Sequence, residues 1–528
     1  MKDQPPQSAL FAEPASGDVS FKKRYFFKLF TNMVGFGTGI ASQAIVPRAL
    51  GPAAYGNYSF LTDFFWQLIG FLNLNSSTAL YTKICQRQSE KNLIRFYVGF
   101  AVAIVCLALL FICLSKACGL NQLFWPDQAM VFVALALVLA CFRYYNDTLV
   151  SISDAYKLTI KSELVNVSYK IICFVSILLL FIFNSLTLGS YLCLQILLLA
   201  LSILFLILVV DKGRKVFLER WHLQWPQVKN YLKEFWLFCS PLIIVAAVSV
   251  VTVIFDRWLL QRVSGSEEQG YYSLGYQIGS VCILVTSAMI PLVFREYAVS
   301  LGKGDTGEFK RVLLRFTPML YAISAYFSCF LAVEAKNVIA LFGGKAFAPA
   351  LFAVSLMCLY PIHQTLGQLN ASVFFSAHKT KVYRNIGVGC ALAGALVSLL
   401  LLGPKEYGGF AAGANGLSIK MVVIQFFSVN IQLFYINKIW GIGLGRLLSH
   451  QFVVIILFLA SAFACSRLAQ SLAGDFHFSI SFLLSGTMYT AAIAFFALLV
   501  PPIFSTTRGE MLGVVSSIKR GLLRENLR

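Results

Sequence analysis

The chain has 528 residues, of which 58% are hydrophobic and only 12% charged, and its mean hydropathy is +0.75. Soluble domains sit nearer half apolar and a quarter charged, so a water-soluble enzyme is excluded as the starting point. The formal net charge of +20 then reads as basic loops on one membrane face, not as a nucleic-acid surface.

Residues 1–27 are polar, carry Pro5, Pro6 and Pro14 and end in Lys22, Lys23 and Arg24, which suits a disordered cytoplasmic tail. Apolar runs follow near 28–47, 56–80, 93–114, 128–149, 164–184, 188–210, 235–260, 271–294, 312–333, 349–375, 385–402, 412–436, 447–467 and 479–503. Each is close to the roughly 20 residues a membrane helix needs. Barrel strands would be about ten residues long and alternating. The first run is read as a retained helix, not a cleaved leader. These runs predict a first six-helix lobe over 28–211, a basic cytoplasmic linker over 212–234 and a second lobe over 235–436. Two further helices fall over 437–503, and a cytoplasmic tail over 504–528. The linker intersperses Val216, Phe217, Leu218, Trp221 and Trp225 with Lys212, Arg214, Lys215 and Arg220. That suits an interfacial amphipathic segment or a plain basic loop.

With the N-terminus inside, 33 of the 43 Lys and Arg fall on the cytoplasmic side, 7 on the other, and Lys170, Arg257 and Lys420 within spans. The asymmetry places both termini in the cytoplasm and supports the count of fourteen, because losing one helix would scramble it. The 13 cysteines lie mostly in apolar runs (Cys106, Cys173, Cys239, Cys282, Cys390) without a CxxC. They read as small hydrophobes, with no metal site and no disulfide framework.

The chain repeats itself. Gly51, Gly56, Tyr58 and Ser59 after the first run, and Gly265, Gly270, Tyr272 and Ser273 after the seventh, both spell GxxxxGxYS at one offset of 214 residues. Each copy closes the first hairpin of a six-helix block. Six is even, so the blocks share an orientation and are related by an axis along the membrane normal, with a substrate site expected between them.

Basic residues ahead of a Gly-rich first helix, the run from Ile45 through Pro47 to Ser59, then Asp256 to Leu260 and Gly270 to Ser273 together resemble the polysaccharide transport branch of the multidrug/oligosaccharidyl-lipid/polysaccharide (MOP) exporter superfamily. That branch includes the Wzx-type O-antigen and capsule repeat-unit flippases. The resemblance covers about 28 to 503. It implies an all-α polytopic membrane protein of about 14 transmembrane helices, in two pseudo-symmetric six-helix lobes plus two C-terminal helices, with a MATE-like V shape. It also implies movement of an undecaprenyl-diphosphate-linked oligosaccharide across the bacterial inner membrane by alternating access, with ion coupling. The implied partners are that lipid-linked glycan and the bilayer, with room for a polysaccharide polymerase and a chain-length regulator. No nucleic acid and no cofactor are implied.

Ionisable groups inside a membrane are the sharpest site candidates, because each costs a few kcal/mol to insert. Lys420, near the middle of the twelfth run, is placed either on the diphosphate or on an acid of a neighbouring helix. Lys170 is either a second cation for substrate or a snorkelling side chain. Arg48, Gln364, Gln368 and Asn32 complete the substrate-binding candidates. Asp63, with Gln67 on its face, is the best acid for ion coupling, or else pairs with a base such as Lys420 or Lys170. Asp256 and Arg257 form a gate pair or an ordinary interfacial pair. His363, in the segment with Pro361, Gly367 and Asn370, titrates or is a hydrogen-bonded core histidine. Gly35 and Gly39 offer a packing seam or a flexible gating helix. Arg384 follows the charge rule.

No GxxxxGK[ST] phosphate loop and no catalytic constellation occurs in the sequence, so no enzyme is expected and the energy must come from an ion gradient, the membrane potential or consumption of the product. The rival readings are a drug/cation antiporter of the same superfamily, which would prefer acids in its cavity, and a lipid II flippase. A third is a membrane glycosyltransferase or polymerase, which would want acids in a large loop.

Overall fold

The computed structural model describes residues 21–74, 76–87, 90–214, 224–240, 243–473 and 478–505. In hydrocarbon every backbone N–H and C=O must be paired within the protein, which favours helices, and the described residues contain helices and no strand. The N-terminal half holds α1 (Phe21–Asn73), α2 (Ser76–Gln86), α3 (Lys91–Ala117), α4 (Asn121–Phe124), α5 (Met130–Ala155), α6 (Thr159–Ile182) and α7 (Leu188–Arg214). After α8 (Trp225–Cys239) come α9 (Ile243–Ser287), α10 (Ile290–Gly302), α11 (Thr306–Val333), α12 (Ala335–Phe342), α13 (Leu351–Ser376), α14 (Thr380–Leu402) and α15 (Gly413–Trp440). The chain then adds α16 (Leu444–Ala473) and α17 (Phe478–Leu499).

Ten of these helices are long and apolar enough to cross a bilayer once. The two longest cross twice. Straight, the 53 residues of α1 and 45 of α9 would reach about 80 and 68 Å at 1.5 Å per residue, more than twice a hydrocarbon core of about 30 Å. Each bends at one glycine, Gly51 at φ 74° and Gly265 at φ 81°, a conformation open to glycine and strained for other residues. Both ends of α1 consequently reach the same half of α5: Lys28 meets Asp154 at 2.6 Å, and Asn73 Oδ1 accepts from the Tyr144 hydroxyl at 3.1 Å. Two passes each from α1 and α9 bring the total to the expected fourteen. The membrane face where Gly51 and Gly265 turn is the hairpin face below, and its opposite the far face.

The two turns meet each other. Gly56 lies against the Ser266 carbonyl, and Gly270 against the Pro52 carbonyl. Residues 52 and 266, like 56 and 270, are separated by the repeat offset of 214. The contact is therefore a pseudo-symmetric exchange: the second glycine of each motif accepts the backbone that follows the first glycine of the other. No Cβ fits at either position, since it would overlap backbone atoms. Phe347 closes the same region, with Tyr55 and Tyr271 presenting their rings to it at 6.1 and 6.0 Å, nearly edge-on.

Some boundaries differ from the sequence expectation for local reasons. α1 begins at Phe21, ahead of the first apolar run. The eighth run, expected over 271–294, is divided between α9 and α10, where Pro291 lacks a donor and starts the new helix. α8 lies where the linker was expected to end, starting at Trp225 and docking through Lys83 and Glu234. The amphipathic reading of 216–221 lies outside the described residues. Pro361 does not break α13. It cannot donate to the Met357 carbonyl one turn back, and Gly279 of α9 packs against that carbonyl.

The glycine exchange gives the first prediction. Gly56→Ala and Gly270→Ala should each destabilise the protein by about 1–3 kcal/mol, the usual cost of overpacking. Gly99→Ala, which meets nothing within 4 Å, should be neutral or slightly stabilising. Thermal unfolding of the detergent-purified variants measures the difference.

Candidate functional site

α9 approaches its turn with two opposite charges in succession, Asp256 and Arg257, both buried at 6% and 8% exposure. Successive helical residues point about 100° apart, so the two do not pair with each other; each is delivered to a different neighbour. Asp256 faces the C-terminal half, where it takes the Lys420 ammonium of α15 and, at 2.5 Å, the Ser398 hydroxyl of α14. Gly394 makes room for this: a Cβ there would stand 3.2 Å from Lys420 Cε. Lys420 is thus the partner of an acid on a neighbouring helix, one of the two placements its sequence context allowed.

Arg257 faces the N-terminal half. Its Nη2 donates to Asp63 of α1 at 2.6 Å, and its Nη1 donates to Gln269 at 3.1 Å and Ser273 at 2.7 Å. The guanidinium lies 4.6 Å from the centre of the Tyr272 ring, and Gln269 donates back to the Arg257 carbonyl at 2.9 Å. Three of these partners come from the second limb of α9 and hold the guanidinium in place. Asp63 is the more exposed member, with its side chain 44% exposed. Its base is therefore neither Lys420 nor Lys170. Arg257–Asp63 spans the two halves, as do Gln43 donating to Gln277 and Arg48 donating to the Ala340 carbonyl.

The remaining candidates lie apart. Lys170 lies over Gly35 of α1, its ammonium occupying the space a Cβ would need, so that this glycine seats a side chain rather than a helix seam. Gly39 faces open space. His363 is buried between the rings of Tyr321 and Phe426, at 6.0 and 5.1 Å, and its Nδ1 has no partner among the described residues. The Asn32 side chain lies outside the described residues. Gln364 and Gln368 share a polar cavity of about 380 Å³ inside the C-terminal half, together with Gln425, Ser428, Gln432 and Arg384.

Three residues were missed. Arg143, counted above on the cytoplasmic side, lies mid-helix in α5, donating to the Tyr58 hydroxyl at 3.3 Å and to Gln195 at 3.0 Å, with no direct ion pair among the described residues and Asp147 one turn further along the same helix. A signal existed: α5 has the lowest hydropathy of the ten single spans, 1.4. Gln425 and Gln432, seven residues apart on one face of α15, carried a weaker one. A second cavity of about 840 Å³ is apolar and runs between α17, α11 and α9, with Phe36 of α1 at its edge.

Fourteen helical passes in two related halves, joined at one face and carrying buried charges between them, define a two-lobed membrane transporter. The chain belongs to the polysaccharide biosynthesis protein family, whose sequence profile matches residues 45–351. No curated protein sequence matches it. Among solved structures it resembles the lipid II flippase MurJ in an inward closed conformation, with a TM-score of 0.65 and 12% identity over 90% of this chain and 99% of that one. It also resembles a MATE family multidrug resistance transporter of the MOP superfamily in an inward-facing conformation, with a TM-score of 0.56 and 14% identity over 78% and 95% of the two chains. A MOP superfamily transporter from Pyrococcus furiosus follows at 0.52 and 13%, over 80% and 96%. At these identities the likeness is one of fold: the MOP superfamily fold expected from the repeat and the motifs.

The buried pair predicts a thermodynamic signature. Lys420→Ala leaves Asp256 charged with only the Ser398 hydroxyl to hold it, at a cost of about 3–5 kcal/mol. Lys420→Met combined with Asp256→Leu should recover most of that loss, because an apolar pair of similar volume needs no desolvated charge. Thermal unfolding of the two single variants and the double variant measures the coupling.

Proposed function

We propose that the chain is a Wzx-type flippase that moves undecaprenyl-diphosphate-linked oligosaccharide repeat units across the bacterial inner membrane for surface polysaccharide synthesis. The observation that carries this reading is the charge balance of the interior. Asp63 and Asp256 are each held by a cation. Neither Arg143 nor Lys170 forms a direct ion pair among the described residues: the nearest acids on their own helices, Asp147 and Glu163, act on them only at longer range, and the hydrogen bonds of Arg143 go to neutral groups. A cation within a span costs about 2.5–3.5 kcal/mol even on the lenient insertion scale. Two cations without a directly bonded acid suit a substrate that brings its own negative charge, and a diphosphate does. A cation exporter would want the reverse arrangement. The Pyrococcus transporter is described by a reverse polarity of its binding pocket that suggests a different function, so polarity is a sensible discriminator within this fold. The apolar cavity beside α17 offers a polyprenyl chain a path out of water. A lipid II flippase would satisfy the same charges; membership of the polysaccharide biosynthesis family favours the glycan repeat unit.

In this reading the hairpin face is periplasmic and both termini are cytoplasmic, as the basic-loop asymmetry requires. The lobes 28–211 and 235–436 rock about the central space, with the helices of 437–503 as an outer wall for the lipid tail. Closure at the periplasmic face rests on the glycine exchange, Arg48 and the Arg257–Asp63 bridge. In this reading Asp63, the half-exposed acid of the bridge, is the ion-coupling residue. The chain itself transfers no group and is no enzyme.

The test is a strain lacking the gene, complemented with the wild type or with Arg143→Ala. The expected result without the gene is loss of surface polysaccharide with repeat units accumulating on the cytoplasmic leaflet. Arg143→Ala should restore polysaccharide about tenfold less well or worse, as removal of a charge-assisted hydrogen bond implies, at unchanged protein level. Normal polysaccharide without the gene, together with new sensitivity to cationic drugs, would replace the flippase by an antiporter.

A further inference from the structure

The polar cavity of the C-terminal half contains more hydrogen-bonding capacity than the protein uses. Gln364 Oε1 accepts from the Tyr360 hydroxyl at 3.1 Å and from Gln425 Nε2 at 2.9 Å. That leaves the Gln364 amide protons and the Gln425 carbonyl uncommitted among the described residues. Gln432 is 5% exposed, donates to Ser428 at 3.4 Å, and its buried Oε1 has no partner among the described residues. The Gln368 amide makes no hydrogen bond to a described residue. Buried polar atoms are ordinarily satisfied, so the Gln432 carbonyl calls for a cause; the amides of Gln364, Gln368 and Gln425 are half-buried and line the cavity.

The kind of unused capacity identifies the ligand. An amide offers two donors and a carbonyl acceptor. Several amides around one space match a molecule whose groups both give and accept hydrogen bonds at short spacing, as adjacent sugar hydroxyls do. No acid lines the cavity among the described residues, and the one charge is Arg384, near the far-face start of α14, whose guanidinium bonds only its neighbour Asn385 at 3.2 Å. The volume of about 380 Å³ lies at the low end of small-molecule pockets. Val248 and Val388 supply an apolar wall for a ring face.

We propose that this cavity is a glycan subsite. It receives a sugar ring of the lipid-linked unit on the amides of Gln364, Gln368, Gln425 and Gln432, and Arg384 takes an anionic group adjoining that ring. The proposal rests on the flippase reading and adds to it the place where the sugar is read. The anion is either the diphosphate or a carboxylate of an acidic sugar, and both present oxygens to a guanidinium fork.

The experiment uses the full-length protein in detergent micelles. Three probes are titrated: undecaprenyl diphosphate, the same lipid carrying a neutral disaccharide, and the same lipid carrying a disaccharide with one uronic acid. The wild type is expected to bind the glycosylated lipids about tenfold or more tightly than the bare lipid, the weight of one or two well-made polar contacts. Gln364→Leu with Gln432→Leu should bring that ratio to about one by weakening the glycosylated lipids. Ala391→Phe, which fills the cavity from its wall, should do the same and guards against a folding defect in the glutamine variant. Arg384→Gln should weaken all three probes if the anion is the diphosphate, and only the uronic acid probe if it is the carboxylate. A wild-type ratio near one would overturn the subsite and leave the flippase standing, with water filling the cavity. An intact ratio in both cavity variants would place sugar reading elsewhere. Failure of the wild type to bind any probe would overturn the flippase reading itself.

Discussion

The two halves of this protein meet through a contact that has no side chain in it. Gly56 and Gly270 each accept the carbonyl of the residue after the other motif's first glycine, so two helical hairpins cross at backbone distance. Everything else at that face depends on this approach. A methyl group at either glycine would push the hairpins apart and lengthen the reach that Arg257 needs to Asp63 and Arg48 to the Ala340 carbonyl. The repeat thus has a physical reason beyond ancestry, since a motif that packs against its own copy needs the small residue at the same offset in both.

The charges follow the same economy. One helix, α9, supplies both an acid and a base, and the turn of the helix between them distributes them to different halves. Asp256 is tied into α14 and α15 by Ser398 and Lys420. Arg257 is braced by Gln269, Ser273 and Tyr272 before it meets Asp63. The bridge between the halves is therefore asymmetric: a rigid base on one side and a half-exposed acid on the other.

Much of the architecture was legible in the sequence because the bilayer enforces it. Length and hydropathy marked the spans, and the GxxxxGxYS repeat located the hairpins that do meet. The pairings were less legible. Asp256 and Arg257 are adjacent in the chain and so invite pairing, yet helical geometry separates them. Lys420 could be placed at depth, but its partner lies 164 positions away, and nothing local announces it. Arg143 was hidden in a run that still qualified as a span. Gln425 and Gln432 were passed over because an amide lowers hydropathy only mildly, so a polar cavity built from amides leaves a faint trace. Pro361 sits inside an unbroken helix, and Gly279 of a neighbouring helix packs against the carbonyl it leaves free.

The braced arginine has a consequence for any motion that parts the halves. Arg257 would travel with the C-terminal half and Asp63 with the N-terminal half, so the opened face would carry a fixed positive charge opposite a negative one. Their attraction would act as a restoring spring with a reach of about one Debye length, ~8 Å at physiological salt. Opening beyond that distance would let the spring go slack.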